Sequence, residues 1–170
     1  MGGVNLAALS RVSANGSGTL LVEDFIFTIT CEAAAYDGTG LIIAPDVFAA
    51  GNRYILSFRV RKTSGTLSGV GGHAGGFTQL ALYVDGERRA EPWELGTALP
   101  DDMEEHFVEL HLTCQGADAD NALYIQPNRG FTQASGPYSV QIWDVQVERG
   151  AVATDWYPAL EDIQESMEMQ

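Results

Sequence analysis

The chain reads as an all-β protein, an antiparallel jelly-roll β-sandwich with a short C-terminal tail or helix. Three observations predict this: nearly every apolar segment alternates with period two or is a short run, each is closed by Gly, Asn, Asp or Pro, and no helical stripe appears before the last dozen residues. Length and composition permit it, since 170 residues with 45% apolar content can bury a core without metals or disulfides.

In chain order, the runs predicted as strands cover about 19–31, 40–43, 53–62, 77–84, 106–114, 121–126 and 137–148, the spacing of a sandwich or jelly roll. The segment 63–76, TSGTLSGVGGHAGG, holds six glycines and is predicted to be a surface loop. It lacks the Gly-Lys-Ser/Thr ending and following helix of a phosphate cradle. From Asp85 to Glu105, eight acidic residues, two prolines and Trp93 predict a long exposed connection, entered through an Asp85-Gly86 turn. Cys31 and Cys114 each end a run in phase with its apolar face and so look inward. They are two buried thiols or, if their strands are neighbours, one disulfide. In the last strand the apolar phase passes from Val140 and Ile142 to Trp143, Val145 and Val147, which implies a bulge or burial on both faces. Leu160, Ile163 and Met167 then fall at i, i+3 and i+7 on an acidic segment, a frayed tail or the start of a stalk. The expected division is a sandwich over 1–158 and an acidic tail over 159–170.

Charge removes whole classes of partner. Nine Lys and Arg against 23 Asp and Glu give a net charge of −14, which repels nucleic acid and anionic membranes. No apolar run approaches the roughly 20 residues of a bilayer span, and MGGVNLAALS lacks the features of a secretory signal.

No residues present themselves as catalytic or as metal ligands. His73 lies in the glycine loop, while His106 and His111 are five apart on a strand and project to opposite faces. Neither cysteine has a second Cys or His at ligand spacing. Asp118-Ala119-Asp120-Asn121 is superficially like a calcium loop, but glycine is missing at its turn and Arg129 stands where a bidentate Glu belongs, so an Asp- and Asn-rich turn is preferred. No cofactor is expected, and Asp144 is read as a turn-stabilising carboxylate in preference to a structural calcium ligand. The expectation is a non-enzyme. A glycosidase needs only two suitably separated carboxylates, so an acidic-site glycosidase stays as the minority alternative.

The second face of the strands is more informative. With the aliphatic residues inward, Arg59, Arg61, Tyr83, His111, Tyr124 and Gln126 point outward, joined by Trp143 if that ring is not core. Aromatics beside Arg, Gln and His suit a sugar, which offers an apolar face for stacking and hydroxyls for planar donors and acceptors. These seven residues are the candidate carbohydrate contacts. An ordinary solvated sheet face is the rival explanation.

Near the C-terminus stand Gln146-Val147-Glu148-Arg149-Gly150, then Ala153-Thr154-Asp155-Trp156-Tyr157-Pro158, then Glu161-Asp162. In this order the segment resembles the end of carbohydrate-binding-module-like domains of bacteriophage tail proteins, which close with "vQLEkG", "aTdW" and a Pro followed by an acidic pair. Gly51 to Val60, GNRYILSFRV, is similar to the family's "G-x-x-Y-T-L-S-F" strand, and Asn5-Leu6 matches its usual opening. The resemblance implies a jelly-roll module in a tail fibre, baseplate or other minor structural part of a virion, without catalysis. Its implied partners are host cell-surface polysaccharide and other tail or baseplate subunits, with a homo-oligomer as a further expectation. The alternative is a purely structural virion domain. In the motif, Gly150 is expected to make a left-handed turn, Trp156 to dock flat on the sandwich as a structural residue, and Pro158 to stop further pairing.

Overall fold

A computed structural model describes residues 5–7, 12–15, 18–32, 40–43, 48–115, 123–131 and 137–168. Twelve strands among them form two antiparallel sheets, as the alternating pattern predicts. One sheet has the order β1 (Val12–Asn15), β4 (Gly40–Ile43), β11 (Leu123–Pro127), β6 (Gly69–Gly71), β9 (Thr97–Ala98). The other runs β2 (Thr19–Glu23), β3 (Ile26–Cys31), β12 (Tyr138–Arg149), β5 (Arg53–Gly65), β10 (His106–Cys114), β7 (Phe77–Val84), β8 (Glu87–Arg89). Period two explains the layers. Tyr54, Leu56, Phe58 and Val60 of β5, Val108, Leu110 and Leu112 of β10, and Leu82 and Val84 of β7 meet Leu41, Ile43, Val70, Leu123 and Ile125 of the smaller sheet in one core.

The structure corrects several expectations. The run 19–31 is a hairpin, because Asp24 and Phe25 both take positive φ (50° and 63°), the signature of a two-residue type I′ turn. A strand over 12–15 escapes the pattern altogether. The glycine segment is not all loop: β5 continues to Gly65, and Gly69–Gly71 is a buried strand of the smaller sheet. Its glycines permit close approach, since a β-carbon at Gly72 would lie 1.7 Å from the Tyr124 carbonyl oxygen. The 85–105 connection is also not simply exposed. It carries β8, a 3-10 turn at Trp93–Leu95 and β9, and Trp93 is 1% exposed. The Trp93 indole N–H donates to the Tyr124 carbonyl at 3.0 Å, and its backbone N–H donates to Gln79 Oε1 at 2.7 Å. The Asp118–Asn121 segment lies outside the described residues.

Cys31 and Cys114 are buried thiols. β12 and β5 stand between their strands, and the register sets Cys31 at the Gly65 end of β5 and Cys114 at its Arg53 end, far beyond the reach of a disulfide. Helix α1 (Leu160–Glu168) follows the sandwich, lodging Ala159 and Asp162 against it while Leu160, Ile163 and Met167 are exposed. Among the described residues no helix is long and apolar enough to cross a membrane.

Candidate functional site

The outer face of the seven-stranded sheet collects the outward residues of its central strands. Register sets them in rows. Trp143 of β12, Arg59 of β5 and Phe107 of β10 form one row, with Ser57, Glu109 and Tyr83 in the next. His111 follows on β10, its ring 5.5 Å from that of Tyr83 and its Nε2 3.3 Å from Glu109 Oε2. Arg61 lies 5.6 Å above the Trp143 ring and donates to Gln141 Oε1 at 2.8 Å.

A bulge brings Asp144 into this face. The register of β12 on β5 shifts between Trp143 and Gln146, and Asp144, with φ 51°, is the residue that takes up the extra length. The apolar phase therefore changes after Trp143 and not before it. Trp143 stays on the outer face, half-buried, while Val145 and Val147 join the core. The Arg59 Nε donates to Asp144 Oδ2 at 3.2 Å, its Nη1 donates to Glu105 Oε2 at 3.0 Å, and its guanidinium sits 4.9 Å from the Phe107 ring centre.

Beyond the bulge the same face is covered by the chain itself. Gln146 and Glu148 point outward yet are buried, because residues 153–157 lie over them as a strap. Glu148 accepts hydrogen bonds from the Thr154 N–H at 3.1 Å and from its hydroxyl. Gln146 accepts from the Tyr157 N–H at 3.0 Å and donates to the Thr154 carbonyl at 3.2 Å. Asn5 closes the assembly: its amide donates to the carbonyls of Val145 (3.2 Å) and Tyr157 (2.9 Å), and its Oδ1 accepts from the N–H groups of Ala7 (2.9 Å) and Val147 (3.1 Å). Gln146, Glu148, Thr154 and Asn5 thus act as one strap lock, a role that only the three-dimensional pairing reveals. Trp156 meets Phe25 edge-on, at 65° and 5.5 Å, and its indole N–H donates to the Val145 carbonyl at 3.1 Å. Gly150 has φ 141°, a positive value open to glycine but far from the left-handed helical turn expected of it.

Between strap and sheet lies a cleft of ≈ 180 Å³, floored by Ser57 and Arg59, flanked by Phe107, Glu109 and Asp144, and walled by Ala153, Thr154, Asp155 and Trp156. The start of β10, which carries Phe107, is clamped. His106, on the inner side of β10, has Nδ1 2.7 Å from Asp85 Oδ2 and Nε2 2.7 Å from Asp102 Oδ1, while Asp85 Oδ1 accepts from the Phe107 N–H at 2.8 Å. Burial works against the charged imidazolium, but the bonds to Asp102 and Asp85 outweigh it and raise the His106 pKa. Burial likewise pushes Asp85 up, and the Phe107 N–H, His106 and Arg89 together bring it below its ordinary value. The hydrogen bond from His106 is the main cause that lowers Asp102.

Of the residues singled out from the sequence, Arg59, Arg61, Tyr83, His111 and Trp143 share this outer face. Tyr124 and Gln126 do not, because β11 belongs to the other sheet. Tyr124 packs edge-on to His73 at 5.5 Å, and Gln126 is buried, accepting from Arg129 Nη1 at 3.2 Å. Sequence reasoning missed Phe107, Ser57, Asp144 and Asp155 as cleft residues. The out-of-phase apolar Phe107 is the one signal that was legible. Among the described residues no group of three or more His, Cys, Asp or Glu is placed to hold a metal ion.

No protein-family model matches the chain, and no curated protein matches it. Solved structures do match. The xylan-binding domain CBM22-1 of Paenibacillus barcinonensis Xyn10C has a TM-score of 0.56 at 12% identity, covering 89% of this chain and 98% of that one. The tripod (BppUct-A-L) from the baseplate of bacteriophage Tuc2009 has a TM-score of 0.54 at 18% identity, covering 94% of this chain. This chain spans only 60% of that tripod chain. The N-terminal cellulose-binding domain of Cellulomonas fimi β-1,4-glucanase C has a TM-score of 0.50 at 14% identity, covering 89% of this chain and 97% of that one. The fold is thus the carbohydrate-binding-module jelly roll, in a form also built into a phage baseplate.

Proposed function

We propose that this chain is a non-catalytic, tail-associated bacteriophage module that binds carbohydrate on the outer face of its seven-stranded sheet, contacting polysaccharide on the host cell surface. The observation that carries the reading is the strap-walled cleft opening onto a face where Trp143, Phe107 and Tyr83 stand among Arg59, Arg61 and His111. Aromatic surfaces with planar polar neighbours match the two kinds of surface a sugar ring presents. The likeness to a xylan-binding and a cellulose-binding domain over nearly their whole length supports binding over turnover, and the likeness to a baseplate tripod supports the virion setting. Weak single-site affinity suffices, since several copies on one particle raise avidity by about 10²–10⁴.

The test is retention on a panel of bacterial cell walls, backed by a glycan array. The parent chain is expected to be retained, Tyr83→Ala and Trp143→Ala to lose most of the signal, and Tyr124→Ala, on the other sheet, to keep it. Retention unchanged in both outer-face variants removes the site. Release of sugar fragments by the parent would favour the glycosidase alternative.

One observation supports a second reading, a structural domain packed against neighbouring tail subunits. Helix α1 turns Leu160 (58% exposed) and Met167 (70% exposed) to solvent while Asp162 is buried, the reverse of an ordinary surface helix. Absence of retention on any wall, with assembly onto a tail subunit lost in Leu160→Ser/Met167→Ser, would favour that reading.

A further inference from the structure

We infer that the cleft selects a sugar carrying a protonated amine, in preference to neutral and acidic sugars. The inference rests on the carbohydrate reading above and narrows its ligand class.

The floor already asks for a polar ligand. Ser57 is 3% exposed and lines the cleft, and its hydroxyl has no hydrogen-bond partner among the described residues. Opening on the cleft, that hydroxyl is available to a ligand, and a sugar hydroxyl or amine fits it. The cleft is small, ≈ 180 Å³, below the roughly 300 Å³ of a pocket for a drug-sized ligand. It takes a single sugar unit while the rest of a polymer lies across the sheet.

The charge of the walls then decides which unit. Three carboxylates, Glu109, Asp144 and Asp155, line the cleft against one cation, Arg59. That cation is already engaged. Asp144 holds its Nε, Glu105 holds its Nη1, and Phe107 lies against the guanidinium. An acidic sugar would therefore meet a guanidinium whose charge is already shared with Asp144 and Glu105, and would face further carboxylates. A neutral sugar would displace water from Asp155, which has no hydrogen bond or ion pair among the described residues, and return no charge to it. An ammonium group presents three N–H donors and a positive charge, which can be shared between Asp155 and the second oxygen of Glu109, whose Oε2 lies 3.3 Å from His111 Nε2. The whole-chain charge of −14 draws an amine-bearing polymer toward the surface from farther away.

The experiment compares two ligands that differ only in the amine. Fully deacetylated chitosan hexamer and its N-acetylated counterpart are titrated against the full chain at weakly acidic pH, following tryptophan fluorescence and calorimetric heat, with an oligogalacturonate of equal length as the acidic probe. At about 0.15 M salt, where long-range attraction is screened, the deacetylated hexamer is expected to bind about 10-fold more tightly than the acetylated one, and the oligogalacturonate most weakly. In Glu109→Gln/Asp155→Asn that preference is expected to fall to about 2-fold or less. In Glu23→Gln/Glu87→Gln, which removes the same charge away from the cleft, it should persist. Far-ultraviolet circular dichroism confirms that each variant is folded. Equal binding of the two hexamers, tighter binding of the oligogalacturonate, or a preference that survives the cleft substitutions overturns the inference and leaves the carbohydrate reading standing. Failure of the parent to bind these probes and every array glycan overturns the carbohydrate reading itself.

Discussion

Asp144 holds a left-handed backbone (φ 51°) inside a paired central strand, a conformation that an L-residue with a β-carbon rarely takes. Asp tolerates it better than most residues because its short side chain can bond nearby groups, and here the carboxylate accepts from Arg59. Replacing it by Ala is expected to cost about 1–2 kcal/mol from the backbone alone, whereas Asp144→Gly keeps the bulge and loses only the Arg59 contact. Urea unfolding of the two variants separates these effects, and an Ala variant as stable as the Gly variant would contradict them. His106 supplies a second prediction at this scale. Its raised pKa means that its contribution to stability is complete below its ordinary value of 6.5 and is lost as pH rises through the folded value. The lowered pKa values of Asp85 and Asp102 act in the opposite sense, contributing above 3.8 and failing as pH falls through their folded values. The clamp is therefore fully effective in weak acid, between those two limits. His106→Gln should lower the urea midpoint inside that window and flatten its fall above pH 6.5, and an unchanged profile would show that the clamp does not couple to folding.

Among the elements, the strap and the helix make opposite predictions. Asn5 satisfies four backbone groups at once, so Asn5→Ala should cost about 2–3 kcal/mol and quicken amide exchange at 153–157. Ile163→Ser/Met167→Ser, by contrast, alters exposed positions of α1 and should change stability by less than about 0.5 kcal/mol, as read by thermal unfolding. These elements also show how far the sequence could be read. Strand β10 was legible end to end, because one face is buried and alternation is then unavoidable; β7 was legible in its bounds but not throughout, since its register slips at Leu80 and leaves that side chain, expected inward with Leu82 and Val84, exposed. Gly69–Gly71 was not, since a three-residue strand with Val70 as its one side chain has no period to detect. Trp93 looked exposed because its acidic neighbours set the local composition, while a single 3-10 turn aims the indole inward. Of the candidate contacts, outward direction could be read from each strand alone. Which sheet a strand joins is decided by long-range pairing, and that is why Tyr124 and Gln126 left the site.

For the whole molecule, charge and topology dominate. A net charge of −14 on 170 residues opposes compaction, so raising salt from about 0.01 to 0.15 M, which shortens the screening length from about 30 to 8 Å, should stabilise the fold. A gain of about 1 kcal/mol corresponds to about 2–4 °C in Tm for a chain of this size, and a fall in Tm on adding salt would contradict it. Topology has a different outcome. The hydrogen bond from Asn5 to the Tyr157 carbonyl joins points 152 residues apart, so the first and last described stretches of the sandwich meet at one pole. A short linker bridging that pole, with new ends cut elsewhere, should give a circularly permuted version of the same sandwich, and the module could equally be grafted into a surface turn of another protein, entering and leaving through adjacent positions.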